Sequence, residues 1–426
     1  MDLELLGIVV LGVACVLYAY YGLGLDTIIA PPSIADIFKE ASTTIDDFRN
    51  ARYYKPWKRS KPIIVSSKKQ IAELSEAAVL SQRAVYADMF GFKYTLNKFD
   101  HNEIAQVKSR LLGRLLQVQG VNHLPKMFPY LSKRANQSLL EQVANGRSLA
   151  NGNISLPVAS TVRSVASKIM EVLFFGEKMP SDPMFASALL QYPKEMVTCM
   201  SIFQITPSFL SSFVHNIITK RGRAQKTILK RLARVMGPRR ETWEESSPLK
   251  EMTFAWNISS LTSESSYWQG PDHCAQTLLG VWFAAAHQPW MNLDFIMLQL
   301  CQRPEWQDAI QKEAGPIGDL TYETLTKLPL LDSFIKETVR LHPLDTLAVR
   351  RKALQPYTFA SGTPHVPEGA TVAVSSYDQM HDSSYYVTPN EFQPQRFIQD
   401  ESPAAASKFT EVSEKFPVWG YGSLAW

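Results

Sequence analysis

Leu328-Pro329-Leu-Leu-Asp-Ser-Phe-Ile-Lys-Glu337-Thr-Val-Arg340-Leu-His-Pro343 is the stretch on which the reading of this chain turns. Residues 321–341 read as a short helix, a break at Pro329 and a second helix that carries Glu337 and Arg340. Three residues apart, the acid and the guanidinium share one helix face. Leu328, Leu330, Leu331, Phe334, Ile335 and Val339 surround them with apolar side chains, which predicts that the pair is partly buried. Removing one member of a buried pair costs about 3–5 kcal/mol, so a third partner is expected to complete the hydrogen bonding. Arg396 is the candidate. It lies in Glu391-Phe392-Gln-Pro394-Gln-Arg396-Phe397, and a planar guanidinium there suits bidentate bonding to a carboxylate.

Read in order, Glu337-x-x-Arg340, Met380-His381-Asp382, Phe392-x-Pro394-x-Arg396-Phe397 and Trp419-Gly420-x-Gly422 resemble the motif series of cytochromes P450. The resemblance covers nearly the whole chain and is strongest from Trp268 onward. It implies a structural role for Glu337, Arg340 and Arg396, which in that family lock together and hold the haem-side loop. It implies haem b as cofactor, with Arg350 favoured over Arg351 as partner of a propionate, and Trp419, Gly420 and Gly422 in the cofactor-binding loop. The helix 102–116 offers Arg110 and Arg114 for the other propionate. The family's iron ligand is a cysteine, and Trp426 stands at that place. An indole has an N–H donor and no lone pair to give a metal, whereas a thiolate supplies the push for O–O cleavage. The expectation is therefore a P450 fold lacking its ligand Cys and the segment after it.

A second test is Phe283-Ala284-Ala285-Ala286-His287-Gln288-Pro289-Trp290, inside a long helical pattern over 270–304. Small residues admit a flat cofactor, and Pro289 is expected to kink the helix and free a carbonyl. The segment is similar to the family's oxygen groove, so Ala285, His287 and Gln288 are the catalytic candidates. The family commonly has an acid where His287 stands, although fungal membrane-bound members often carry His, and a Thr where Gln288 stands. His287 reads equally as a satisfied buried histidine and as a proton relay. Gln288 has an amide that positions water.

Leu5 to Leu25 carries no charged residue, about the 20 residues that cross a bilayer core. Asp2 and Glu4 precede it and Arg49, Arg52, Lys55, Lys58, Arg59 and Lys61 follow. The positive-inside pattern then places the main body in the cytosol. The expected division is an anchor and linker over 1–30 and a P450-like domain over 31–426, incomplete at its C-terminus. Such a single-pass protein suits the endoplasmic reticulum. The basic run Lys220, Arg221, Arg223, Lys226, Lys230, Arg231 and Arg234 reads as a solvated helix face, or as a contact with anionic membrane lipid.

The remaining texture is mainly α with a small β region. Helices are expected at 69–82, 102–116, 132–145 and 157–175, with strand-like pieces at 63–65, 347–352, 357–360 and 371–375. Of 426 residues 45% are hydrophobic and the formal net charge is +4. That excludes a disordered chain and gives no argument for nucleic acid as a partner. Cys15, Cys199, Cys274 and Cys301 form no Cys-x-x-Cys pair, and read as small buried hydrophobes in a reducing compartment. The resemblance further implies oxidation of an apolar small molecule, such as a fungal terpenoid or polyketide, with O₂ and electrons from NADPH through cytochrome P450 reductase. The alternative is an inactive, truncated or decayed homologue, a haem-free membrane-anchored protein.

Overall fold

The computed structural model describes residues 61–96, 115, 118–203, 206, 208–236, 247–262, 271–316, 320–398 and 408–422. Strand β1 (Ile63–Val65) leads into helices α1 (Lys68–Glu76) and α2 (Gln82–Phe90), separated by the short strand β2 (Leu80–Ser81). A helical series follows: α3 (Leu124–Ala144), α4 (Val158–Phe175), α5 (Pro183–Phe203), α6 (Ser211–Ile218), α7 (Arg223–Met236), α8 (Phe254–Thr262), α9 (Pro271–Cys301), α10 (Pro304–Ala314) and α11 (Pro329–Leu341). Then come β3 (Leu347–Ala353), β4 (Thr371–Ser375) and α12 (Ser376–Met380). The sheet order is β1-β4-β3-β2, with β1 parallel to β4 and the other pairs antiparallel.

Local chemistry sets these boundaries. Ser67 and Ser81 cap α1 and α2 by accepting the amides of Gln70 (3.3 Å) and Ala84 (3.1 Å). Such a hydroxyl satisfies one of the donors a helix start leaves open. The helix expected over 69–82 is therefore two helices. Ala77 closes the first in extended geometry, and β2 pairs with β3 between them. Helix α11 begins at Pro329, where no amide is needed. Glu313 of α10 accepts the next two amides, Leu330 (2.7 Å) and Leu331 (3.0 Å). Between α6 and α7, Lys220, Arg221 and Gly222 take φ of 48°, 63° and 71°, three left-handed residues in a row.

Two apolar cores hold the elements. The larger joins α2, α4, α5, α7, α8 and α9 through Phe174, Phe175, Phe185, Leu189, Ile228 and Trp282. The smaller joins the sheet to α1 through Val65, Ile71, Leu74, Val372 and Val374, with Tyr421 packed against it. Helix α9 is 31 residues long and runs through Pro289. In α5, Pro193 likewise lies within the helix. A proline cannot donate to the carbonyl four residues back, which leaves Leu189 O free. Trp282 Nε1 of α9 donates to it at 3.1 Å.

Among the described residues no helix is long and apolar enough to cross a membrane. The Leu5–Leu25 segment, the helix expected over 102–116 with Arg110 and Arg114 (Leu115 apart), and Trp426 lie outside the described residues.

Candidate functional site

Helix α11 brings Glu337 and Arg340 together with no exposure of either side chain. Arg340 Nε donates to Glu337 Oε2 at 2.7 Å and Nη2 to Oε1 at 2.9 Å. Arg396 closes the arrangement, its Nε lying 3.0 and 3.1 Å from the same two oxygens. The amide of Gln393 also donates to Oε1, at 3.0 Å.

One carboxylate between two guanidinium groups leaves a buried excess of positive charge, and backbone carbonyls answer it. Arg340 Nη1 reaches Met380 O (2.6 Å) and Pro389 O (2.7 Å), and Nη2 reaches Glu391 O (3.4 Å). All five N–H donors of Arg340 are thereby used. Arg396 donates to Val387 O, Thr388 O and Glu391 O. Tyr386 lies under both, its ring centroid 5.0 Å from the Arg340 guanidinium carbon. The network thus fastens α11 to the segment 380–396.

A second segment, 408–422, carries the glycine-rich stretch. Trp419 Nε1 donates to Phe409 O at 2.8 Å, and Phe416 is buried with Val339 and Met380. Gly420 has φ 97° and Gly422 φ 68°. A Cβ on Gly422 would meet Ser75 Oγ at 2.8 Å. Both positions need glycine, one for backbone freedom and the other for space as well.

The arginines on β3 sit beside an irregularity. Ala348 pairs with Val374 and Arg351 with Val372, so β3 holds one extra residue, and Val349 has φ 49°. Such a bulge breaks the alternation of faces. Beyond it burial alternates along β3, with Arg351 buried and Arg350 partly exposed. Arg351 is 1% exposed, and 13% of the Arg350 side chain is exposed. The Nε–H of each is buried and without a hydrogen-bond partner among the described residues. Arg350 also pairs with Asp345 and reaches Met89 Sδ at 3.2 Å. Arg351 donates to Arg350 O, and burial pulls its pKa down to about 10. Two buried guanidinium groups with donors to spare suit an anionic ligand, so the arginines fit the carboxylates of a haem.

The iron end of a haem finds no such fit among the described residues. Cys199, Cys274 and Cys301 are all on helices α5 and α9, and burial first, then Glu195, pushes the Cys199 thiol up to about 12.

On α9, Ala285 is half-buried, His287 buried and Gln288 exposed. His287 stacks on Phe283 with centroids 4.5 Å apart. Its Nδ1 lies 2.5 Å from Phe283 O, and since a carbonyl only accepts, Nδ1 carries the proton. Burial lowers the His287 pKa, so the ring is held neutral. Two polar groups one or two turns further along α9 were not singled out from the sequence. Asn292 has a buried Oδ1 without a partner among the described residues. Asp294 has the same, and burial raises its pKa to about 7 against the pull of Arg163. An Asn and an Asp in an otherwise apolar helical run are the signal that marks them.

The cytochrome P450 family profile matches residues 83–418. The chain belongs to the cytochrome P450 family. It is 24% identical over 374 residues to cytochrome P450 monooxygenase terQ of Tolypocladium album, covering 81% of this chain and 66% of that protein. It is 24% identical over 375 residues to cytochrome P450 monooxygenase cdmJ of Talaromyces verruculosus, covering 85% and 70%. Cytochrome P450 monooxygenase 103 of Postia placenta is 25% identical, with 64% of this chain and 56% of that protein covered. The chain thus spans 56–70% of the length of these relatives. A solved structure, retinoic acid bound cyanobacterial CYP120A1, shares the fold with a TM-score of 0.60 at 20% identity, over 85% of this chain and 76% of that one.

Proposed function

We propose that this protein is a haem monooxygenase scaffold that takes an apolar small molecule, with NADPH-cytochrome P450 reductase as electron source. The substrate class favoured is a fungal secondary metabolite such as a terpenoid or polyketide, in keeping with the fungal relatives. The observation that carries the reading is the buried Glu337–Arg340–Arg396 network, set in the family's motif order. When bound, haem supplies the activation of O₂ and its transfer to carbon. Arg350 is the favoured propionate partner, with Arg351 beside it. Trp419, Gly420 and Gly422 would shape the loop that holds the cofactor, the small side chain of Ala285 would make room for it, and Gln288 would orient a water. Neutral His287 passes a proton only through Nε2, because Nδ1 is engaged by Phe283 O.

A second reading, an inactive homologue without haem, is favoured by one residue: Trp426, at the family's ligand position. Haemin titration of the purified full chain separates the two. The haem reading expects a Soret band that saturates, and Arg350→Met weakens binding about ten- to a hundredfold, the loss of one charge-assisted bond of about 1.5–3 kcal/mol. It expects a carbon monoxide complex without the thiolate band, which Trp426→Cys restores. Absence of any Soret band would establish the haem-free reading instead.

We further propose that residues 1–30 anchor the chain in the endoplasmic reticulum membrane with the body cytosolic. Phe209 (69% exposed) and Phe213 (55%) precede the exposed Lys220, Arg221, Lys226, Lys230 and Arg234 in the chain, a combination suited to an anionic bilayer surface. The full chain should stay with the membrane fraction in molar salt, and a chain starting at residue 31 should be released by it. Release of the full chain by salt alone would remove the anchor reading.

A further inference from the structure

Next to Glu337 on α11 stands a second buried charge. Lys336 is 2% exposed. Its ammonium donates to Lys408 O at 2.9 Å and lies 3.7 Å from Glu411 Oε2. It also stands over two rings, 4.7 Å from the centroid of Phe397 and 5.1 Å from that of Phe416. One turn earlier, Asp332 Oδ2 accepts the amide of Phe409 at 2.7 Å. Asp332 and Lys336 are four apart and therefore share a face. Each takes hold of the backbone of one residue in the adjacent pair Lys408–Phe409, one by its carbonyl and the other by its amide.

We infer that Asp332 and Lys336 form a second clamp on α11, which positions the segment 408–422 and with it the glycine-rich loop independently of the Glu337–Arg340–Arg396 network. The two sets hold different stretches of backbone, which are joined to each other by the bond from Tyr386 Oη to Lys415 O at 3.0 Å. Glu337, Arg340 and Arg396 bind the backbone at 380–396. Asp332 and Lys336 bind it at 408–409, and Lys336 bears on Phe416, where the Phe416-Pro-Val-Trp419-Gly420-Tyr421-Gly422 stretch begins. Phe409 then passes the constraint on, because its carbonyl accepts Trp419 Nε1. A buried ammonium is costly without partners. This one has a carbonyl, a carboxylate and two aromatic faces, a cage that a water-exposed lysine does not need. Burial pulls the Lys336 pKa down, while Glu411 and Asp332 raise it. Lys336 is a positioning residue in this scheme. Its importance for catalysis rests on the haem reading, but its hold on the loop does not.

Hydrogen exchange of the full chain, read by peptide and without added haem, tests the clamp. Lys336→Met keeps length and removes charge. It should speed exchange in peptides covering 408–422 about tenfold, through local opening, and leave those covering 380–396 unchanged. Lys336→Arg keeps a donor and a cation over the rings, and should restore most of the protection. Asp332→Ala, a milder truncation, should loosen the same segment, first at the Phe409 amide. Unchanged protection at 408–422 in these variants would overturn the proposal, as would equal loosening of both segments. Haem binding enters none of these outcomes, so failure of the haem reading leaves the result interpretable.

Discussion

Replacing Glu337 with Gln is expected to leave the protein close to unfolded. The carboxylate is fully buried and accepts N–H groups from Arg340, Arg396 and the Gln393 amide. An amide of the same shape keeps one oxygen but turns an NH₂ group toward two guanidinium groups. Arg340, itself with no exposure, then keeps its charge with no counter-ion. Breaking a buried pair in this way costs about 3–5 kcal/mol, a large part of the roughly 5–15 kcal/mol that stabilises a typical domain. Arg396→Lys should cost less, because Arg396 is nearer the surface and three carbonyls plus the carboxylate remain for an ammonium to choose from. Urea titration followed by circular dichroism measures both. A Glu337→Gln protein within about 1 kcal/mol of the parent would show that the cluster is held by packing and not by charge.

The second large effect concerns Trp282. Its side chain is completely buried between Phe174 and Phe175, and its indole N–H meets the carbonyl that Pro193 leaves free. Trp282→Ala removes both contributions and should cost about 3–5 kcal/mol. Trp282→Phe keeps most of the apolar bulk and strands the Leu189 carbonyl, a loss of about 1–3 kcal/mol. Pro193→Ala gives α5 back the amide that Leu189 O lacks. In that background Trp282→Phe should cost distinctly less, with a coupling of about 0.5–3 kcal/mol from a double-mutant cycle of unfolding free energies. Additive effects would mean that the indole bond contributes no stability.

The sequence and the fold agree where chemistry is local or ordered along the chain. Glu337 and Arg340 were legible because helical spacing puts them on one face, and Arg396 because a guanidinium was needed to complete a buried pair. The small sheet was legible from its β-branched runs at 63–65 and 371–375. What escaped depends on contacts between distant parts. The bulge at Val349 arises from pairing with β4, and no turn residue announces it. Lys336 and Asp332 look like ordinary surface residues until segment 408–416 covers them. The bond from Trp282 to Leu189 O needs α5 and α9 side by side, although Pro193 within an apolar helix already implied a carbonyl in want of a donor. The long helix expected over 270–304 appears as α9, with Pro289 inside it, because a helix packed on its neighbours tolerates a proline that an isolated one does not.

The two halves of the Glu337 network are acquired on different scales of chain length. Arg340 is three residues from Glu337, while Arg396 is 59 away. The first contact is local to α11, and burial of the pair needs a long stretch of chain brought round. Each doubling of a closed loop adds about 0.6 kcal/mol of entropic cost, so lengthening the connection between β4 and Arg396 is cheap, whereas detaching its end is not. Evolutionary insertions have room between those two anchor points, and the knot that joins them does not.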